Sequence, residues 1–236
     1  MSDTRAELLQ RAYYASTAAA YDEAHLEAAE HRLGLQIMLA AIRHYEFGSV
    51  LDVGSGTGRA LTFVKNEVPT LRVVGIELSP ELRAIGYRKG LTPEDLQHGD
   101  ALHLPFGDES FDLVCEFSAL HHIARPAQAI SEMLRVARRG IFISDTNNFG
   151  QGPLLVRLMK QALNAVGLWP LADWVKTGGR GYSVSEGDGV AYSYSVFNDW
   201  PQITRQCRLV HVVNTDGGGM NPYRTAAHVA VLGLKA

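Results

Sequence analysis

The stretch VLDVGSGTGRA, residues 50–60, does most to narrow what this chain can fold into. An apolar run holding one acid, Asp52, gives way to three glycines at alternate positions, Gly54, Gly56 and Gly58. Apolar residues of this kind read as a buried strand, and residues 58–67 read as the helix that follows. Glycine tolerates left-handed backbone and lets another group approach the main chain closely. A helix N-terminus adds unpaired amides and partial positive charge. Strand, glycine turn and helix therefore predict a cradle for a charged or nucleotide ligand.

The rest of the chain repeats the rhythm. Residues 3–46 read as helical, with Leu33, Ile37, Ala40 and Ala41 at helical spacing. Strands are predicted at 49–53, 71–78, 96–100, 110–117 and 140–145. Helices are predicted at 79–90, with Ser79 as N-cap and Pro80 at the first helical position, and at 125–140. Alternation of this kind implies right-handed crossovers and a parallel sheet covered on both faces. Residues 207–214 and 226–234 form a final antiparallel hairpin around a Gly-rich turn. The expected fold is α/β: a single doubly wound, mostly parallel seven-stranded sheet with an antiparallel C-terminal hairpin. N-terminal helices and a helical, Gly- and Tyr-rich cap complete it. One domain is expected over 1–236: an N-terminal cover (1–46), a cofactor-binding core (47–146), a cap insertion (147–200) and C-terminal strands (201–236).

Composition sets the outer limits. At 46% apolar residues the chain can build a core, and its net charge of −3 shows no basic excess for binding nucleic acid. Cys115 and Cys207 fit no metal spacing, and no apolar run reaches the length of a membrane span. The first residues, MSDTRAELLQ, lack the apolar centre of a secretion signal. A cytoplasmic location is the expectation.

Three ligand classes compete for the glycine turn. A triphosphate loop needs Lys after the last glycine, and none is present. A dinucleotide fingerprint needs a glycine at position 59, which is Arg59, and no Tyr is followed four residues later by Lys. The third class fits. VLDVGSGTG, then Glu77 at the end of the second strand, then GDALHLPFGDESFDLV from Gly99 onward, resembles the class I S-adenosylmethionine-dependent methyltransferases of small-molecule type. The likeness is close over 48–145.

The resemblance implies a cofactor, S-adenosyl-L-methionine, with S-adenosyl-L-homocysteine as its product. By resemblance, the amides from Gly54 through Ser55 and Gly56 to Gly58 meet the methionine moiety, and Asp52 orders the loop or reaches the ammonium group. Glu77 accepts from the ribose hydroxyls, Leu78 packs on the adenine, and Asp100 with the Ala101 amide meets the adenine edge. Phe117 and an N-terminal aromatic complete the set. Tyr21 is the choice there, with Tyr13 and Tyr14 as neighbours, since a ring can face the sulfonium.

The acceptor side is read from the ends of the fourth and fifth strands. His121 and His122 are the candidate catalytic bases, with loop histidines that only shape the pocket as the plainer reading. Asp145, Tyr192 and Tyr194 are the candidate acceptor-binding residues. Glu116, Asp145 and Asn147 offer the oxygen ligands that suit magnesium, but Thr146 separates the last two, and no metal is expected. The motif EFSA at 116–119 is not the [DNS]-P-P-[YFW] of nucleobase amine methylases. The expected activity is methyl transfer to a small organic acceptor, at the oxygen of a hydroxyl or carboxylate. Nitrogen or carbon methylation, and a non-catalytic cofactor-binding protein, are the alternatives. The expected partner is that acceptor, with no nucleic acid and no membrane, and a homodimer is allowed.

Overall fold

The computed structural model describes residues 5–17 and 29–235. Tyr21 lies outside them, so the candidate aromatic chosen from the sequence has no structural account. The N-terminal cover comprises α1 (Arg5–Thr17) and α2 (Ala29–His44). The buried face of α2 carries Gly34, Leu35, Met38, Ala41 and Ile42, whereas Leu33, expected inside, is exposed. Helical periodicity allows either of two neighbouring stripes. Gly34 decides between them, because a Cβ there would meet Ser144 Oγ at 2.5 Å, so the helix packs close against the sheet here.

The sheet contains β1 (Ser49–Val53), β2 (Arg72–Glu77), β3 (Leu96–His98), β4 (Phe111–Phe117) and β5 (Ala137–Thr146), then β8 (Leu209–Gly217) and β9 (Ala226–Leu234). Its order is β3-β2-β1-β4-β5-β9-β8. The first five strands are parallel and β9 runs antiparallel to both β5 and β8. Crossovers are made by α3 (Arg59–Glu67), α4 (Pro80–Arg88) and α5 (Pro126–Val136). One face buries Ile130, Met133 and Leu134 of α5 against Val53, Ile76 and Ile143. The other buries Met38, Ile42, Leu61 and Val64 against Leu113 and Phe142. The chain moves outward from β1 to β3 and returns to β4 on the other side of β1. That reversal opens a crevice at the strands' carboxyl ends, where doubly wound sheets bind ligands.

Two boundaries differ from the sequence reading. The α5 helix stops at Val136, and β5 begins at once with Ala137. Ala and Arg favour helix locally, but Ala137 pairs with Phe111 and the Arg138 guanidinium grips Asp112 at 2.6 Å, so sheet pairing wins. Within the cap, α6 (Leu154–Ala165) and α7 (Trp169–Lys176) are followed by an unforeseen hairpin, β6 (Ser183–Ser185) with β7 (Gly189–Ala191). Trp169 anchors α7 edge-on against Phe149, whereas Trp174 is exposed. No helix among the described residues is long and apolar enough to cross a membrane.

The cap joins the sheet where Asn147 donates to the carbonyls of Pro222, Tyr223 and Ala226. Gly150 packs directly on the Ala226 carbonyl, leaving no room for a Cβ. Gly150→Ala is therefore expected to lower stability by about 1–3 kcal/mol, the usual scale of overpacking. Urea unfolding of wild type and variant checks it, and equal midpoints would show that this junction gives way freely.

Candidate functional site

At the end of β1 the turn folds back on β2. The Gly54 and Ser55 amides both donate to the Ile76 carbonyl, at 3.0 and 2.9 Å, and Gly58 N donates to Ser55 O. Gly54, Gly56 and Gly58 have φ of 72°, 57° and 77°, the left-handed region that favours glycine. A Cβ on Gly54 would stand 2.6 Å from the Ala119 methyl. The chain therefore has no side chain where the turn faces the end of β4.

Glu77 closes this turn from the next strand. One carboxylate oxygen accepts from Gly56 N at 2.9 Å and the other from Ser79 N at 2.7 Å. Burial raises its pKa, opposed by those two amides and by Arg83. Asp52 is also buried, and burial raises it to about 6 against the pull of Ser55, the Cys115 thiol and Arg59.

Two cavities adjoin here. The larger, about 580 Å³, is walled by Gly54, Gly56, Glu77, Leu78, Asp100 and Ala101, with Tyr14 and Tyr192 opposite from the N-terminal cover and the cap. The smaller, about 220 Å³, is walled by Asp52, Ser55, Arg59, His31, His121, Asp188 and His228. Gly54, Gly56, Phe117, Ser118 and His122 line both. The predicted residues of the first three strand ends are thus gathered around connected space. Gly58 is an exception: it lines neither cavity, and its Cβ would run into Leu91, so its bareness serves the packing of α3.

The acceptor-side residues are sorted differently from expectation. Asp145 is fully buried and lines neither cavity. It lies under the turn Leu120–His122, accepting from Leu120 N at 2.9 Å, His121 N at 3.3 Å and His121 Nδ1 at 2.7 Å. Tyr194 also lines neither cavity, being packed in the core beside Val196 and Ile203. Both corrections have one cause. A strand-end or loop position tells where the backbone is, not which way the side chain faces, and the strand pleat turns Asp145 inward. Tyr192 does line the larger cavity, and its amide donates to His121 O at 2.8 Å.

Asp188, from the hairpin turn, was not anticipated. It stands between the two imidazoles, 3.5 Å from His121 Nε2 and 3.4 Å from His122 Nε2. The signal available was an acid between two glycines, Gly187 and Gly189, a turn whose backbone needs no acid. Burial disfavours a charged His121, but Asp145 and Asp188 outweigh it and raise its pKa to about 10. Asp145 is held down near 2 despite its burial, by the His121 cation. Behind it Glu116, fully buried and beside Asp145, is pushed well above the carboxylate range. In this arrangement a His121 imidazolium donates Nδ1–H to Asp145 at 2.7 Å and keeps Asp188 3.5 Å from Nε2. It is not poised to remove a proton, as a base must.

A family model describing a methyltransferase domain matches residues 51–144. Among curated proteins, phosphatidylethanolamine N-methyltransferase of Cereibacter sphaeroides is 38% identical over 114 residues, 45% of this chain and 55% of that protein. Demethylmenaquinone methyltransferase of Roseiflexus sp. (strain RS-1) is 36% identical over 98 residues, 41% of each chain. The chain thus spans about half the length, or less, of these curated relatives. Among solved structures, magnesium protoporphyrin IX methyltransferase from Synechocystis PCC 6803, with bound SAH, superposes with a TM-score of 0.61. It is 14% identical, with 98% of this chain and all of that one covered, a likeness of fold. The sequence match falls on the strands and turns that wall the larger cavity, and the fold likeness extends over the whole chain. Residues 51–144 thus carry a methyltransferase domain, set in a chain whose whole fold is similar to that of S-adenosylmethionine-dependent methyltransferases.

Proposed function

We propose that this protein transfers a methyl group from S-adenosyl-L-methionine to a small organic acceptor, at the oxygen of a hydroxyl or carboxylate. The observation that carries the proposal is the pair of adjoining cavities: one walled by a strand-end carboxylate and a glycine turn, the other by imidazoles. The larger lies within the roughly 300–1,000 Å³ of small-molecule sites. Its donor set suits the cofactor, with Glu77 for ribose hydroxyls, Asp100 and Ala101 for the adenine edge, and Leu78 for the adenine face. Asp52 and Arg59, an acid and a base at the glycine turn, suit the ammonium and carboxylate of an amino-acid tail. Gly54, which lines both chambers with bare backbone, suits close approach of that tail.

The cofactor supplies an already activated methyl carbon, so the protein's task is alignment and exclusion of water. Phe117 and Ser118 stand where the two chambers meet, and His122 lines both. From the cap, Asp188 walls the smaller chamber and Val190 and Tyr192 the larger, and both chambers stay open, which favours catalysis over a purely structural use of the cofactor. The polar wall of His31, Ser118, His121 and His228 favours an oxygen acceptor over an apolar carbon. The curated relatives named above act on acceptors as unlike as a phospholipid amine and a quinone.

Titration calorimetry with S-adenosyl-L-homocysteine tests the cofactor assignment. Saturable binding is expected, and Glu77→Ala should weaken it by about 1–3 kcal/mol, the scale of a charged hydrogen-bond partner. Binding of a nicotinamide dinucleotide instead would overturn the assignment. Methyl-labelled cofactor offered with panels of phenols, hydroxy acids, carboxylic acids and amines tests the acceptor. Label appearing only on nitrogen would contradict the oxygen reading.

A further inference from the structure

We propose that His121, His122 and Asp188 form a binding site for a divalent transition-metal ion of the zinc type, open on one side to the acceptor chamber. The geometry stands by itself, while the purpose given to the ion rests on the methyltransferase reading. Among the described residues this is the one grouping of three His, Cys, Asp or Glu side chains whose ligand atoms all lie within 4.8 Å of one another. His121 Nε2 lies 3.5 Å from one carboxylate oxygen of Asp188, and His122 Nε2 lies 3.4 Å from the other. A charge-assisted hydrogen bond settles at about 2.7–2.9 Å, so these contacts are too long to be good ones. Each instead leaves the spacing of about 3.3–3.4 Å at which two atoms can share a metal with bonds of about 2.0–2.1 Å, so that either oxygen of Asp188, or both, could reach an ion held by the imidazoles.

The surroundings of the imidazoles point the same way. His121 Nδ1 is engaged by Asp145 at 2.7 Å and His122 Nδ1 by the Val190 carbonyl at 2.6 Å. A carboxylate or carbonyl on the far nitrogen is how metal-binding histidines are oriented, and it directs both Nε2 atoms at Asp188. Two imidazoles and one carboxylate suit zinc and its neighbours, whereas magnesium and calcium prefer all-oxygen sets. Three protein ligands leave a position for an exogenous oxygen, the pattern of reactive rather than structural zinc sites.

All three ligands line the smaller cavity, along with Ser118 and Thr146. An ion here would take the place of the Nε2 protons, hold the acceptor by an oxygen and lower the pKa of a bound hydroxyl. The acceptor class is then narrowed to molecules with a metal-binding hydroxyl or carboxylate. The ligands also come from two elements, the turn after β4 and the β6–β7 hairpin, so the ion would fasten the cap over the chamber.

The test uses the whole chain, stripped with a chelator and titrated with Co²⁺ or Zn²⁺. One ion per chain is expected, with the strong visible absorption of four-coordinate Co²⁺ and a higher thermal midpoint with Zn²⁺. Asp188→Ala and His122→Gln should each weaken Zn²⁺ binding by at least the roughly 100-fold that loss of a mere supporting partner can reach. Asp188 is half exposed on a turn, so its variant should fold. Absence of saturable binding, or equal binding by wild type and both variants, would overturn the site. Calorimetry of the wild type with S-adenosyl-L-homocysteine is run beside it. S-adenosyl-L-homocysteine binding with no saturable metal binding sinks the ion site alone, and metal binding with no S-adenosyl-L-homocysteine binding sinks the cofactor reading alone.

Discussion

Asp145→Ala is expected to cost about 3–5 kcal/mol of folding free energy, the scale for breaking a buried charged pair, and to lower methyl transfer about 100-fold or more. The two oxygens of Asp145 gather Leu120 N, His121 N and His121 Nδ1 from a side chain with no exposed surface. Alanine leaves those donors buried without a partner, at a position that lines neither cavity. The turn Leu120–His122 would relax, and both imidazoles would lose their bearing on Asp188. Displacements of about 1 Å at this distance from the chemistry are enough to remove two orders of magnitude in rate. Chemical denaturation checks the first effect, and labelled-methyl transfer to the best acceptor checks the second. Asp145→Asn keeps the shape and one acceptor oxygen, so it should fall between wild type and alanine on both scales. Affinity for S-adenosyl-L-homocysteine separates this from general collapse, since Asp145 lines neither cavity. A variant as stable as wild type would show that the acid is not what holds the turn.

The same residue shows where sequence reading succeeds and where it stops. The order of strands and helices, and the clustering of Gly54, Gly56, Glu77 and Asp100 around one crevice, follow from local patterns. Each of these residues acts through backbone amides or a strand end, and its position is set by its immediate neighbours in the chain. The acceptor side is not built that way. Asp145 was legible as a strand-end acid, but its engagement with His121 depends on the pleat of β5 and on the path of the turn after β4. Asp188 lies 67 residues beyond His121 and reaches it only because the cap folds back through a two-stranded hairpin. No local periodicity encodes that return. Tyr194 failed for a related reason: an aromatic in a Gly- and Ser-rich stretch suits a pocket wall or the core equally well, and burial beside Val196 settles it.

Asp52→Asn is expected to move stability and cofactor affinity in opposite directions. Asp52 is 2% exposed, and burial raises its carboxyl from 3.8 to about 6. A carboxylate whose folded pKa is raised binds its proton more tightly folded than unfolded. The stability this confers is present in full below about pH 4 and is lost as pH rises to about 6. Above pH 6 the native state holds an ionised, desolvated Asp52 at a cost of about 3 kcal/mol, taking about 1.4 kcal/mol per pKa unit. Asparagine removes that charge while keeping the shape. The variant without ligand should therefore melt higher than wild type at pH 7–8, and the gain should vanish near pH 4. Binding reverses the sign. An ammonium group at the glycine turn stabilises the ionised carboxylate, so wild-type affinity for S-adenosyl-L-homocysteine should fall as pH drops through 6. The Asn variant should bind at least about 10-fold more weakly at pH 7.5, from loss of a charged hydrogen-bond partner, with a flatter pH profile. Thermal denaturation and calorimetry across pH 4–8 measure both. Equal affinity in the two proteins at pH 7.5 would place the ammonium elsewhere. A variant less stable than wild type at that pH would mean that the bonds of Asp52 to its turn outweigh the burden of its charge.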